Sequence, residues 1–262
     1  MQAISDMSLR IRELAVTLGA DIVGIASADA INAIAPAGHR PEDTLPRAQS
    51  VVCLGIKTLN SVFQSPNPRV ARVSYVHSHR RLNDMGWEIA SFFEQEGYEA
   101  LPITSDVPID MMEKKGLWGD ISHRHVAMAA GLGKIGKNQL LLTPQYGAKI
   151  RLTSIVTAAP LKSDEETNQQ ICPEECNLCI DSCPAKALSS ENFDKVACVR
   201  YMHRYNLYGL LRHIGKILDV DSKDEKKKLA FDRTISEIYM SLRSGDPPHC
   251  IECVRVCPAG RV

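Results

Sequence analysis

Six cysteines fall into two strings that each end in Cys-Pro. They are Cys176, Cys179 and Cys183 before Pro184, and Cys250, Cys253 and Cys257 before Pro258. Cys172 stands four positions ahead of the first string, and Cys198 lies between the two. The spacing C-x2-C-x3-C-P presents thiolates as [4Fe–4S] ligand strings do, with a proline after the last cysteine. Zinc and disulfides also use dense cysteine. Zinc takes four thiolates at tetrahedral geometry, usually from paired C-x2-C knuckles, so the C-x3-C-P endings and a total of eight favour iron–sulfur. Disulfides need an oxidising compartment, and residues 1–10 show neither a basic region followed by an apolar core nor a twin arginine. No apolar run approaches the ~20 residues of a membrane span. The expectation is a cytoplasmic protein with no membrane contact, where dense cysteine means metal.

The strings resemble those of bacterial two-cluster ferredoxins, in which the cysteine before each proline crosses to the other half's cluster. That resemblance implies one [4Fe–4S] cluster on Cys172, Cys176, Cys179 and the distant Cys257. The second takes Cys183, Cys250 and Cys253 and needs one more ligand. Cys198 is preferred over Cys53 for its proximity. Cys53 lies inside the apolar run Val51–Ile56, where cysteine most often acts as a small core residue.

These ligands need a scaffold. Lys plus Arg equals Asp plus Glu at 31 each, so no global field favours nucleic acid or an anionic membrane. Eight of the nine cysteines follow residue 171, which sets a boundary near residues 160–171, with the polar stretch Lys162–Gln170 as a linker. The expected domains are 1–165, holding a cofactor, and 166–262, holding the clusters with a helical insertion at about 200–245. In the first, Ser8–Leu18 has helical apolar spacing ended by Gly19, and Asp21–Ala26 and Val51–Ile56 are short buried strands. Val70–Glu96 is a helix with a core stripe of Trp87, Ile89, Ala90, Phe92 and Phe93. Glu99–Thr104 and Ile150–Ala158 are further strands. The fold class is α+β. The insertion is expected to hold two helices, Tyr205–Leu218 and Lys227–Leu242, with Lys223–Lys228 as a solvated helix face.

Ala129–Pro144 contains Gly131-x-Gly133-x-x-Gly136-Lys137, the letters of two nucleotide-binding fingerprints. Both require a strand before the glycines and a helix after them. The order here is reversed, with a helix over Ser122–Ala130 and a strand over Leu140–Thr143. The glycines instead let backbone closely approach another element or a flat cofactor. His77, His79, His123 and His125 form two i, i+2 pairs, which diverge on a helix, and they are expected to be solvated or hydrogen-bonded.

The glycine loop, the segment LLLTP, Tyr146-Gly147, an Arg-containing strand and the Cys-Pro strings follow one another in this order. That order resembles two related families, the corrinoid-dependent reductive dehalogenases and the epoxyqueuosine reductases of tRNA modification. Ile89–Leu161 is similar to the first, and the cysteine plan with a lone Cys198 to the second. The resemblance implies a nitroreductase-like sheet domain holding a cobalamin against a ferredoxin-like domain with two [4Fe–4S] clusters. It implies low-potential electron transfer to the corrinoid for reduction of a small substrate, with a ferredoxin- or flavodoxin-type donor. Gly131, Gly133, Gly136 and Lys137 become candidate cofactor contacts. Asp106, in Ser105-Asp106-Val107-Pro108, matches a proton-donor aspartate in a motif one residue longer, or else caps a turn before Pro108. The twin-arginine signal of the dehalogenases and the helical-repeat extension of the reductases are missing, so nucleic acid is not an expected partner. The competing expectation is an electron carrier that reduces the corrinoid of a partner protein, or a flavin-bearing variant.

Overall fold

A computed structural model describes residues 2–106, 119–245 and 247–260 of the 262-residue chain. Helix α1 (Gln2–Thr17) leads into strand β1 (Ile22–Ser27), followed by α2 (Ala28–Ile34) and the short α3 (Pro41–Thr44). Then come β2 (Ser50–Lys57), α4 (Asn60–Gln64), the long α5 (Pro68–Gln95) and β3 (Ala100–Ile103). After α6 (His123–Ala129), strands β4 (Lys134–Ile135) and β5 (Leu141–Leu142) form a small hairpin, and β6 (Ile150–Thr157) returns to the main sheet.

That sheet has the order β1-β2-β6-β3, with every neighbour antiparallel. Side chains alternate across a strand, so β2 feeds two cores at once. Val52, Leu54 and Ile56 pack with Ile11 and Ala15 of α1 and with Leu82, Ile89 and Phe93 of α5. Val51 and Cys53 pack on the opposite face with Ile31 of α2 and Val126 and Ala127 of α6. The result is a mixed α/β three-layer arrangement. Gly19, at φ +97°, stops α1 as its sequence predicts. Trp87 departs from the expected core stripe: it is 66% exposed, while Ile89, Ala90 and Phe93 are buried.

The polar stretch after β6 is a strap rather than a loose linker. Asp164 accepts from the Ile25 amide (2.8 Å) while its own amide donates to the Ile25 carbonyl, pairing it with the edge strand β1. Arg12 holds the same carboxylate at 2.7 and 2.8 Å, and the Lys162 amide donates to Ser8 Oγ. A free sheet edge is thereby covered.

The cysteine-rich part holds α7 (Leu178–Asp181), α8 (Lys195–Met202), α9 (Leu207–Leu218), α10 (Lys223–Ala230), α11 (Arg233–Arg243) and α12 (Glu252–Arg255). Where one helix was expected over 227–242, the structure has two. Asp232 ends the first run and caps the second, accepting from the Thr234 amide at 2.7 Å. The basic run Lys223–Lys228 lies on α10 and is mostly exposed, as expected of a solvated face. Among the described residues, no helix is long and apolar enough to cross a membrane.

Candidate metal centre

Cys172, Cys176, Cys179 and Cys257 line one small enclosed cavity, together with Ile171, Pro173, Lys137, Asn138, Leu142 and Pro258. Cys172, Cys176 and Cys179 and the last cysteine of the second string, 78 or more residues apart in the chain, therefore share one space. The remaining four gather separately. Burial raises the Cys198 thiol to about 11, with Cys250, Cys183 and Asp194 adding to the rise. Burial likewise raises Cys253 to about 12, and its neighbours in that shift are Cys250, Cys198, Cys179 and Cys183. Cys253 thus lies near thiols of both groups and packs against the apolar cluster that holds Cys257. Packing of α7 against α12 brings the strings together. Among the described residues, no three His, Cys, Asp or Glu side chains are placed to hold a single metal ion. Four of the sulfurs line the first cavity instead.

The ninth cysteine is elsewhere. Cys53 is fully buried in β2, opposite Ser154 of β6, with which it shares a hydrogen bond. Burial pushes its thiol up to about 12, which leaves it a neutral core residue.

The glycine loop serves the scaffold. A Cβ on Gly131 would lie 2.2 Å from the Glu165 carbonyl oxygen, and one on Gly133 2.1 Å from that of Leu142. A Cβ on Gly136 would meet the Leu142 side chain. In the fold their missing side chains allow close approach of chain to chain, one of the two uses open to them. Lys137 is pinned over the first string: Nζ donates to the carbonyls of Glu174 and Cys176 (3.2 Å for the latter) and to Asn177 Oδ1 (3.2 Å). It positions the ligand loop and lines the first cavity.

A second polar cluster sits at the end of β3 against α5. Tyr75 Oη donates to Asp106 Oδ1 at 3.0 Å. The Arg151 guanidinium stands 5.0 Å from the Tyr75 ring centroid, and the His79 ring 4.1 Å from it. His79 Nδ1 shares a 2.8 Å hydrogen bond with Ser105 Oγ, while its Nε2 is buried with no partner among the described residues. Burial first, then the nearby Arg151 and His123, lower His79 to about 3, so it is neutral. Tyr75, His79 and Arg151 were not singled out for this role from the sequence. Their only signal is that Tyr75 and His79 are one turn apart on a predicted helix. Val107 and Pro108, which complete the Asp106 motif, lie outside the described residues.

His123 and His125 are hydrogen-bonded within the fold. His123 Nε2 donates to the Thr104 carbonyl and Nδ1 accepts from Ser154 Oγ, both at 2.8 Å. His125 pairs with Ser122 Oγ at 2.7 Å, and His77 is exposed.

Open clefts ring the second cysteine group. One of about 390 Å³ runs between the first turn of α5 and Cys250, lined by Pro68, Arg72, Arg204 and His249. It shares Pro68, Arg72 and Arg204 with a neighbour of about 610 Å³ that adds Arg69 and Arg233.

No family model matches the chain. Among curated proteins it is 28% identical over 163 residues to a tetrachloroethene reductive dehalogenase of Desulfitobacterium hafniense, covering 61% of this chain and 26% of that protein. It is 35% identical over 85 residues to the epoxyqueuosine reductase of Listeria monocytogenes, covering 32% of this chain and 22% of that one. To the reductase of Gloeobacter violaceus it is 29% identical over 206 residues, covering 68% of this chain and 60% of the relative. The chain thus spans about a quarter of the matched dehalogenase. In structure it resembles the epoxyqueuosine reductase of Streptococcus thermophilus, with a TM-score of 0.63, 18% identity, and 97% of this chain and 66% of that one covered. It also resembles a reductive dehalogenase whose structure was used to suggest a mechanism for B12-dependent dehalogenation. There the TM-score is 0.54 at 18% identity, with 89% of this chain and 36% of that one covered. These likenesses concern the fold.

Proposed function

Because the chain is related to both the reductive dehalogenases and the epoxyqueuosine reductases, we propose that it is an iron–sulfur oxidoreductase carrying two [4Fe–4S] clusters. The first uses Cys172, Cys176, Cys179 and Cys257, and the second Cys183, Cys198, Cys250 and Cys253. The observation that carries this reading is the sorting of eight thiols into two groups, the first drawing on both strings around one cavity. Soft thiolates without carboxylate or imidazole partners suit iron–sulfur clusters. Assembly deprotonates these thiols against the cost of burial, which bonding to iron offsets. Lys137 holds the first ligand loop in place, and Val254, Leu142 and Phe63 keep the first cavity dry.

The same relationship suggests a corrinoid on the sheet side, where Tyr75, His79, Arg151 and Asp106 converge. The buried, unpartnered His79 Nε2 fits a site completed by another group. A corrinoid bound there would supply a strongly reducing, nucleophilic cobalt centre. The chain's own contribution is the proton. Tyr75 Oη orients the Asp106 carboxyl, from which a proton passes to a substrate anion. Arg151 holds positive charge next to this pair. Phe63 and Ala148 pack in the same apolar cluster as Cys172 and Cys257, and Lys149, just before β6, stands 5.9 Å from the Phe63 ring.

Metal analysis and an absorption spectrum of strictly anaerobic protein test the reading. Iron near eight per chain with stoichiometric cobalt is expected. Iron without cobalt, and no uptake of added cobalamin, would instead make the chain an electron carrier. A flavin spectrum would replace the corrinoid by a flavin.

A further inference from the structure

We propose that the face made by α8 and the start of α9 docks a small acidic electron-transfer protein beside Cys198, a proposal that rests on the iron–sulfur reading above. The chain has no net charge, yet this face is locally cationic. A concavity of about 450 Å³ is lined by Arg200, Arg204 and Arg212 together with Ala185, Val196 and Asp194. No carboxylate among the described residues pairs with any of these three arginines. Asp194, the one acid in the concavity, is occupied as the cap of α8, accepting from the Ala197 amide at 2.9 Å. Arg204 also lines the two neighbouring clefts, which add Arg69, Arg72 and Arg233. Glu237, the acid of the larger of these clefts, is already held by Arg72 at 3.2 Å and Arg233 at 3.6 Å.

Position gives this charge its meaning. Cys198 lies on α8 itself, two residues from Arg200, and its electrostatic neighbours are Cys250 and Cys183. A redox protein seated on the concavity approaches the second cysteine group through one helix. The first group offers no equivalent, because its outer loop exposes Glu174 and Glu175 and would repel an acidic partner. The concavity also supplies apolar contact from Ala185, Ala197 and Val196, the last 54% exposed. Exposed arginines around scattered apolar side chains match the composition of protein interfaces, and complementary charge raises the encounter rate. An RNA partner is less well served. Tyr201, the ring that lines this concavity, already packs against the Arg204 guanidinium at 4.2 Å, which makes it a poorer platform for base stacking.

The test is calorimetric binding of an oxidised, acidic plant-type [2Fe–2S] ferredoxin to the anaerobic, iron-loaded protein, wild type and Arg200→Glu/Arg212→Glu. A second variant, Arg47→Glu on the sheet domain, serves as the charge control. The expected result is at least about tenfold weaker binding in the double variant, unchanged binding in the control, and a wild-type Kd that weakens steeply with salt. Equal binding in all three proteins, or binding indifferent to salt, would overturn the proposal. So would a short RNA hairpin that displaces the ferredoxin from this face. Iron content measured beforehand separates the two levels. Protein without iron overturns the iron–sulfur reading itself, whereas iron-loaded protein that fails these tests overturns only the docking face.

Discussion

Gly147 and Gly260 meet backbone to backbone: a Cβ on Gly260 would lie 2.1 Å from the Gly147 amide nitrogen. Both residues have positive φ, +54° and +69°. The turn after β5 and the segment following Cys257 can touch only because neither side carries a Cβ. This contact fixes the last cysteine of the second string against the sheet domain.

Gly147→Ala is therefore expected to act at a distance in sequence. Its Cβ would fall 1.9 Å from the Ala259 carbonyl oxygen, in a backbone region costing a non-glycine residue about 1 kcal/mol or more. The turn and tail must separate, and Cys257 moves with the tail. Iron per chain in the purified variant should fall by about half, with the second group retained. Wild-type iron content would contradict this coupling.

Lys137 makes a related prediction. Lys137→Met keeps most of the unbranched apolar stem but removes three hydrogen bonds to the loop carrying Cys176. The loop carbonyls would then lose a charge-assisted donor, at a cost of about 1.5–3 kcal/mol for such a bond. Release of iron to a chelator under anaerobic conditions should quicken for about half the iron. The rest should leave at the wild-type rate.

Asp106 and Tyr75 separate proton delivery from cluster assembly. Asp106→Asn should leave iron content unchanged while lowering viologen-driven reduction of an epoxide or organohalide by about 10²–10⁴-fold, the usual worth of a positioned acid. Tyr75→Phe removes the orienting bond and should cost about 0.5–1.5 kcal/mol of stability, read from the urea midpoint, with a smaller loss of rate.

Acid should destabilise the fold through His79. Its folded value, about 3, lies below the ordinary histidine value, so the unfolded chain binds the extra proton between them. Stability is complete above about pH 6.5 and is lost as pH falls towards 3, with a slope approaching about 1.4 kcal/mol per pH unit from this residue. His123, also lowered by burial, acts in the same direction. Urea midpoints between pH 7 and 5 should fall more steeply for wild type than for His79→Gln. Parallel curves would show that His79 does not titrate with unfolding.

Local pattern revealed what local physics controls. The continuous apolar run Val51–Ile56 foretold a buried strand, and the Cys-Pro strings pick out cysteines that the fold brings near one another. Other features depend on partners far along the chain. Asp164 looked like part of a polar linker because Arg12 and the Ile25 backbone are 152 and 139 residues away. Trp87 was placed in the core by its type, whereas α5 turns that position to solvent. The start of α10 was legible but overlooked: Ser222, three residues before Glu225, is a capping signature, and Ser222 Oγ accepts from the Glu225 amide. The Tyr75–Asp106 pair spans 31 residues and two elements, so no spacing rule reveals it.

The central claim is that eight of the nine thiols serve two clusters and Cys53 serves neither. It is tested most directly by iron and acid-labile sulfide analysis of anaerobic protein, wild type against Cys198→Ser, Cys257→Ser and Cys53→Ala. About eight iron atoms per wild-type chain, about four in each of the first two variants, and no change in the third are predicted. Zinc in place of iron, or four iron atoms indifferent to Cys198 or Cys257, would contradict it.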